Sequence, residues 1–185
     1  MSMSSLLGDA RLTDAHDGRS AHGEPHQGSP GDPALSRLIL SSYELLTGSS
    51  LVPSGMGDIE AVSWLYDAAP FCVLAHDTAP DPRFVYANAT AQRCFEYSWA
   101  EFTELPSRLS AEAPDRTERQ SLLDQVARQG YASGYRGLRI SRSGRRFWIE
   151  DGTVWQMTDA GGTVHGQAAV FPRWQDVVTD GRGTA

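Results

Sequence analysis

Hydrophobic and polar positions change their spacing several times along the chain, and each change marks an element. Residues 1–31 show no period. Gly, Ser, Asp, His and Pro dominate there and no aromatic residue occurs, so the segment cannot bury enough apolar surface to offset its ordering entropy and reads as a disordered tail. His16, His22 and His26 follow no helical face or tight turn, which leaves them solvated rather than metal-binding. At Asp32 a helical pattern begins. Asp32-Pro33 supplies an N-cap and a proline at the first helical position. Leu35, Leu38, Ile39, Ser42, Tyr43 and Leu46 then recur at intervals of three and four, and Gly48 supplies a stop. A Gly/Ser/Pro linker runs to Gly57, and Asp58 is read as the cap of a second helix through Trp64 and Leu65.

The spacing next becomes that of strands. Phe71 to His76 is a short apolar run suited to a central strand, Asp77 to Pro82 has turn composition, and Arg83 to Asn88 is the returning strand. Asn88 is placed to cap a short helix that buries Ala91, Cys94 and Phe95. Ser98 and Glu101 have the spacing of a capping box. Residues 114–129 predict a longer helix with Leu122, Leu123 and Val126 on one side, ended by Gly130. Tyr135 to Ser141 and Arg146 to Met157 then flank a tight hairpin. A two-residue Ser143-Gly144 loop would set Ile140 opposite Phe147 and Leu138 opposite Ile149. Asp159 to Gly162 is a further turn, and Thr163 to Phe171 a closing strand.

Two helices, two strands, a helical middle and three strands make an α+β order. It predicts a PAS-like five-stranded antiparallel sheet, with helices on one face and an added N-terminal amphipathic helix. The blocks that carry a closer resemblance are Leu-Ile-Leu-Ser-Ser-Tyr (38–43), Leu-Tyr-Asp-Ala-Ala-Pro-Phe (65–71), Phe-Val-Tyr-Ala-Asn (84–88) and Leu-Pro-Ser-Arg-Leu-Ser-Ala-Glu (105–112). Gly-Leu-Arg-Ile-Ser (137–141), Gly-Arg-Arg-Phe (144–147), Val-Trp (154–155) and Gly-Gln-Ala-Ala-Val-Phe (166–171) follow. In this order and spacing they resemble the MEKHLA domain family, from about Leu35 to Phe171. The resemblance implies a PAS-like module that senses a signal or controls dimerisation. In plants such a domain ends homeodomain–leucine-zipper regulators. This sequence shows no homeodomain, zipper, lipid-binding domain or name-giving hexapeptide, so direct DNA binding is not carried over. The expected organisation is a tail over 1–31, the domain over 32–178 and a flexible end over 179–185.

Composition narrows the functional classes. The 185 residues carry 16 Lys and Arg against 23 Asp and Glu, a net charge of −7, which argues against general nucleic-acid binding. The local cluster of Arg136, Arg139, Arg142, Arg145 and Arg146 reads as a solvated hairpin face. Cys72 and Cys94 sit in apolar settings and are expected to be buried and reduced, as suits a cytoplasmic protein. No basic-then-apolar start predicts a signal peptide, and no apolar run approaches a membrane span.

The sequence motifs of catalysis are missing: no Gly-x-Ser-x-Gly, no Walker loop and no His-Glu-x-x-His. The expected role is therefore a non-enzymatic sensory or regulatory module that binds a small ligand or a partner and self-associates. The alternatives are a small enzyme using the sheet–helix cavity, or a structural dimerisation domain with a filled core. Strand alternation puts Leu138, Ile140, Phe147, Ile149, Asp151, Thr153 and Trp155 on one face. The opposite face would hold Arg139, Trp148 and Glu150, with Arg139 stacked on Trp148. The candidate ligand residues are Tyr86, Asn88, Ile140, Phe147, Asp151, Trp155 and Gln167, although Asn88 also serves as a cap and Asp151 also reads as a solvent-facing bulge residue. No cofactor is assigned. Arg93-Cys94-Phe95 lacks the polar setting of a flavin-reactive cysteine, and residues 114–129 contain no histidine for haem. A homodimer would use helix 33–47 and the outer sheet face.

Overall fold

The computed structural model describes residues 29–111, 122, 124–126 and 128–178. Residues 1–28 of the tail expected over 1–31, the end expected over 179–185, and residues 112–121, 123 and 127, which include most of the helix expected over 114–129, lie outside them. Helix α1 (Pro33–Thr47) starts where Asp32 Oδ1 accepts the backbone N–H groups of Ala34 and Leu35 at 2.8 and 3.2 Å. It ends at Gly48, whose φ of 68° lets its N–H return to the Glu44 carbonyl. Helix α2 spans Asp58–Asp67. Gly57, not Asp58, is its N-cap, and Asp58 instead pairs with Arg37 of α1 at 2.7 Å.

Strands β1 (Cys72–His76) and β2 (Phe84–Ala87) are followed by α3 (Ala89–Phe95), α4 (Trp99–Glu104) and a 3-10 turn at Ser107–Ser110. Asn88 caps α3, and Ser98 with Glu101 closes a capping box on α4. Asp124 to Val126, Arg128 and Gln129 are helical, and Gly130 donates to the Val126 carbonyl at 2.8 Å. Strands β3 (Tyr131–Ile140), β4 (Arg146–Thr158) and β5 (Val164–Phe171) complete an antiparallel sheet of order β2-β1-β5-β4-β3. A sixth strand, β6 (Arg173–Asp176), adds to the five expected and pairs with the first half of β4.

Each sheet face is packed. On the inner face, Phe95 of α3 and Phe102 of α4 meet Phe84, Phe147 and Phe171 through edge-to-face contacts at 5.1–6.2 Å. On the outer face, α1 and α2 cover Val73, Ala75, Tyr86, Trp155, Met157, Ala168 and Val170. Trp155 is fully buried, its Nε1 donating to Ser42 Oγ at 3.0 Å while Tyr43 stands edge-on at 5.0 Å. Each such aromatic contributes on the order of 2 kcal/mol of hydrophobic burial.

The alternation expected along β4 does not hold through the whole strand. Tyr135 pairs with Gly152 and Gly137 with Ile149, so β4 has one residue more than β3 between these pairs. That extra residue is accommodated at Asp151, whose φ is 53°. A second irregularity on β3 lies between Ala132 and Tyr135, where Gly134 has a φ of 74°. The two compensate in register and flip both strands together. Phe147 and Ile149 therefore face inward, but Trp155 and Met157 face outward.

The β3–β4 hairpin differs from its predicted form for a similar reason. Ser141 N–H donates to the Arg145 carbonyl at 2.9 Å, enclosing a three-residue loop with Gly144 at φ 86°. The odd loop shifts the pairing by one, so Arg139 faces Phe147 and Ile140 faces Arg146. Ile140 and Leu138 thus lie outward, and it is Arg136 rather than Arg139 that stacks on Trp148, at 3.8 Å.

Candidate functional site

The positions expected to form one site are distributed over both faces. Phe147 is fully buried in the inner core, 5.1 Å from Phe95. Gln167 shares the inner face and is half-buried. Trp155 and Tyr86 lie in the outer core, and Ile140 is half-buried on the outer face. Asp151 is exposed at its bulge and paired with Arg173. The structure brings Phe147 and Gln167 to the same face and separates the other five from them.

Asn88 is buried and fully engaged. Its Oδ1 accepts from Val73 N–H at 3.0 Å and Ala91 N–H at 2.9 Å, while Nδ2 donates to the carbonyls of Leu65 and Phe71 at 3.2 and 2.8 Å. It joins α2, β1 and α3, with no hydrogen-bonding capacity left for a ligand. Tyr86 is different. Burial pushes its phenol well above the ordinary tyrosine range, and its hydroxyl and that of Ser36 are buried with no hydrogen bond of good geometry among the described residues. Burial likewise pushes the Cys72 thiol up, beside a buried Cys94, and both cysteines are free.

Register defines what does converge on the inner face. One row across the sheet is Ala87, Leu74, Ala169, Val154 and Ala132, all apolar and mostly small. The next row is Phe84, His76, Gln167 and Gln156. Val154, Ala169, Gln156, Gln167 and His76 are half-buried, in contrast to the closed phenylalanine cluster beside them. Strands β1 and β5 approach closely here because residue 166 is glycine: a Cβ there would sit 1.9 Å from the His76 carbonyl oxygen. His76 Nδ1 lies 2.8 Å from the Asp77 carbonyl, which can only accept, so Nδ1 is the donor there, and Nε2 has no hydrogen-bond partner among the described residues.

Gln156 was missed because unbroken alternation pointed it outward. The signal was in the sequence: Gly134 and Asp151-Gly152 lie inside strands, where glycine marks bulges. Among the described residues no group of three or more His, Cys, Asp or Glu could hold a metal ion, and no helix is long and apolar enough to cross a membrane. A separate half-open groove of about 520 Å³ lies between α1 and α2, lined by Pro33, Arg37, Ile59, Val62 and Tyr66.

Comparison with known proteins agrees with this architecture. The PAS domain of a protein from Colwellia psychrerythraea is similar at 15% identity and a TM-score of 0.52, covering 65% of this chain and 98% of that one. An RNA-binding light-oxygen-voltage receptor is similar at 23% identity and a TM-score of 0.52, covering 69% of this chain and 35% of the receptor's length. At these identities the likeness is one of fold. No curated protein matches the chain in sequence. The family model for the MEKHLA domain matches residues 33–176, nearly all of the folded region, and the chain belongs to the MEKHLA domain family, with a PAS-like fold.

Proposed function

We propose that this domain is a sensory or regulatory module that takes a small ligand on the inner face of its sheet and self-associates. The observation that carries the reading is the difference between two parts of that face. Around Phe95, Phe102, Phe147 and Phe171 it is filled by interlocking rings. Around Val154, Ala169, Gln156 and Gln167 small side chains and two amides with no hydrogen-bond partner among the described residues remain half-buried. A concave apolar floor with a few polar groups is the usual form of a small-molecule site. The buried, reduced Cys72 and Cys94 suit a cytoplasmic setting.

Helix α1 lies on its own sheet, so a second copy would meet the other half of the outer face. That half carries Leu138, Ile140 and Trp148, all half-buried. Native mass spectrometry of the purified full chain tests both parts of the proposal. A dimer mass with a bound small molecule is expected, and Ala169→Trp should lose the bound mass while keeping the far-UV circular dichroism. A ligand-free monomer would count against the reading.

A further inference from the structure

We propose that Gln156 and Gln167 select an uncharged ligand through an amide-type edge, a lactam or imide on a flat ring. This inference rests on the reading that the inner face holds a small ligand, and it names the class. Gln156 and Gln167 are direct cross-strand partners, which sets their Cβ atoms about 5 Å apart. His76 continues the same row on β1. Each carboxamide offers one acceptor oxygen and two N–H donors. Among the described residues neither side chain has a hydrogen-bond partner, although both stand half-buried in rows next to Leu74, Val154 and Ala169.

The chemistry of the two rows sets the preference. They contain no lysine, arginine, aspartate or glutamate. A carboxylate or phosphate placed there would lose hydration without gaining a compensating charge. A wholly apolar ligand would cover two carboxamides and leave their donors and acceptors unpaired. A neutral ring with an adjacent N–H and C=O answers both amides at once. Its flat face then lies on the Leu74–Ala169–Val154 floor, and His76 Nε2 can accept one further N–H.

Side-chain amide NMR on the full chain tests this with three probes of similar shape: 2-quinolone, 2-naphthoate and naphthalene. The expected result is that 2-quinolone shifts the Gln156 and Gln167 side-chain NH₂ signals and binds at least about ten-fold more tightly than the other two. Gln156→Leu and Gln167→Leu, shown to be folded by circular dichroism, should each weaken 2-quinolone about ten-fold and bind naphthalene more tightly, since one unpaired carboxamide is gone. Equal or tighter binding of naphthalene or naphthoate by the unaltered chain would overturn the assignment, as would variants that bind 2-quinolone normally. If no probe binds, the assignment also fails. The native mass measurement then separates the cases, because a co-purified ligand of another class preserves the inner-face function and an empty protein removes both.

Discussion

Asn88 shows how much one side chain can hold. Four backbone groups, three of them in α2, β1 and α3 and the fourth at Phe71 just before β1, depend on its carboxamide, and three of the four bonds are buried. Asn88→Leu would strand two carbonyls and two N–H groups, so chemical denaturation should show a loss of roughly 3 kcal/mol or more. Asn88→Asp keeps the acceptors but buries a charge against two carbonyls, and should be no better. Ser36 and Tyr86 are the opposite case. Among the described residues their hydroxyls are buried without a hydrogen-bond partner, so each carries a desolvation penalty that no such bond returns. Ser36→Ala and Tyr86→Phe are expected to leave the urea midpoint unchanged or raise stability by up to about 1 kcal/mol each. A loss above about 1 kcal/mol in either variant would show that the hydroxyls are satisfied in solution.

At the scale of elements, the β3–β4 hairpin is fastened to the end of α3 through Glu96. This residue adopts φ 62° at the helix C-cap and accepts from Ser141 Oγ at 2.9 Å, Ser143 N–H at 3.2 Å and Arg145 Nε at 3.1 Å. The hydroxyls of Ser143 and Ser141 and the Arg145 guanidinium hold its carboxyl down at about 2, from an ordinary 4.5. A folded-state value below the unfolded one stabilises the fold fully above pH 4.5, and that contribution falls away between 4.5 and about 2. Glu96→Gln should therefore flatten the loss of stability in this window, measured by urea titration at several pH values. The same hairpin shows what was legible in the sequence. Its existence, its strands and its glycine followed from alternation and turn composition. Its register did not, because two- and three-residue loops both use Gly144, and the choice between them reverses Ile140 and Arg139. The helix caps at Asp32, Asn88 and Ser98 could be read directly, since a cap is a local pairing of neighbours. The row proposed to take a ligand could not, because Gln156 and Gln167 are paired only through a register set by distant bulges.

For the whole molecule, α1 decides whether the sheet has one hidden face or two. Its Ile39, Ser42 and Tyr43 close the outer core over Trp155. Ser42→Ala leaves the Trp155 indole N–H unpaired in a fully buried site and should cost about 1–3 kcal/mol in a denaturation curve. Removing residues 1–48 would bare Trp155, Met157 and Val170 together, a patch large enough to drive association. Light scattering on that truncation should report oligomers or aggregate, and a stable soluble monomer would show that α1 is dispensable. The bulge at Asp151 also sets how the chain tolerates changes in length. Deleting that one residue would leave every side chain in place along the sequence but turn those after it to the opposite side. Trp155 and Met157 would enter the phenylalanine core, and Gln156 would meet α1. A deletion scan across β4 should therefore find Asp151, an exposed residue, as intolerant as the buried positions around it, while the turn at Asp159–Gly162 accepts losses and insertions.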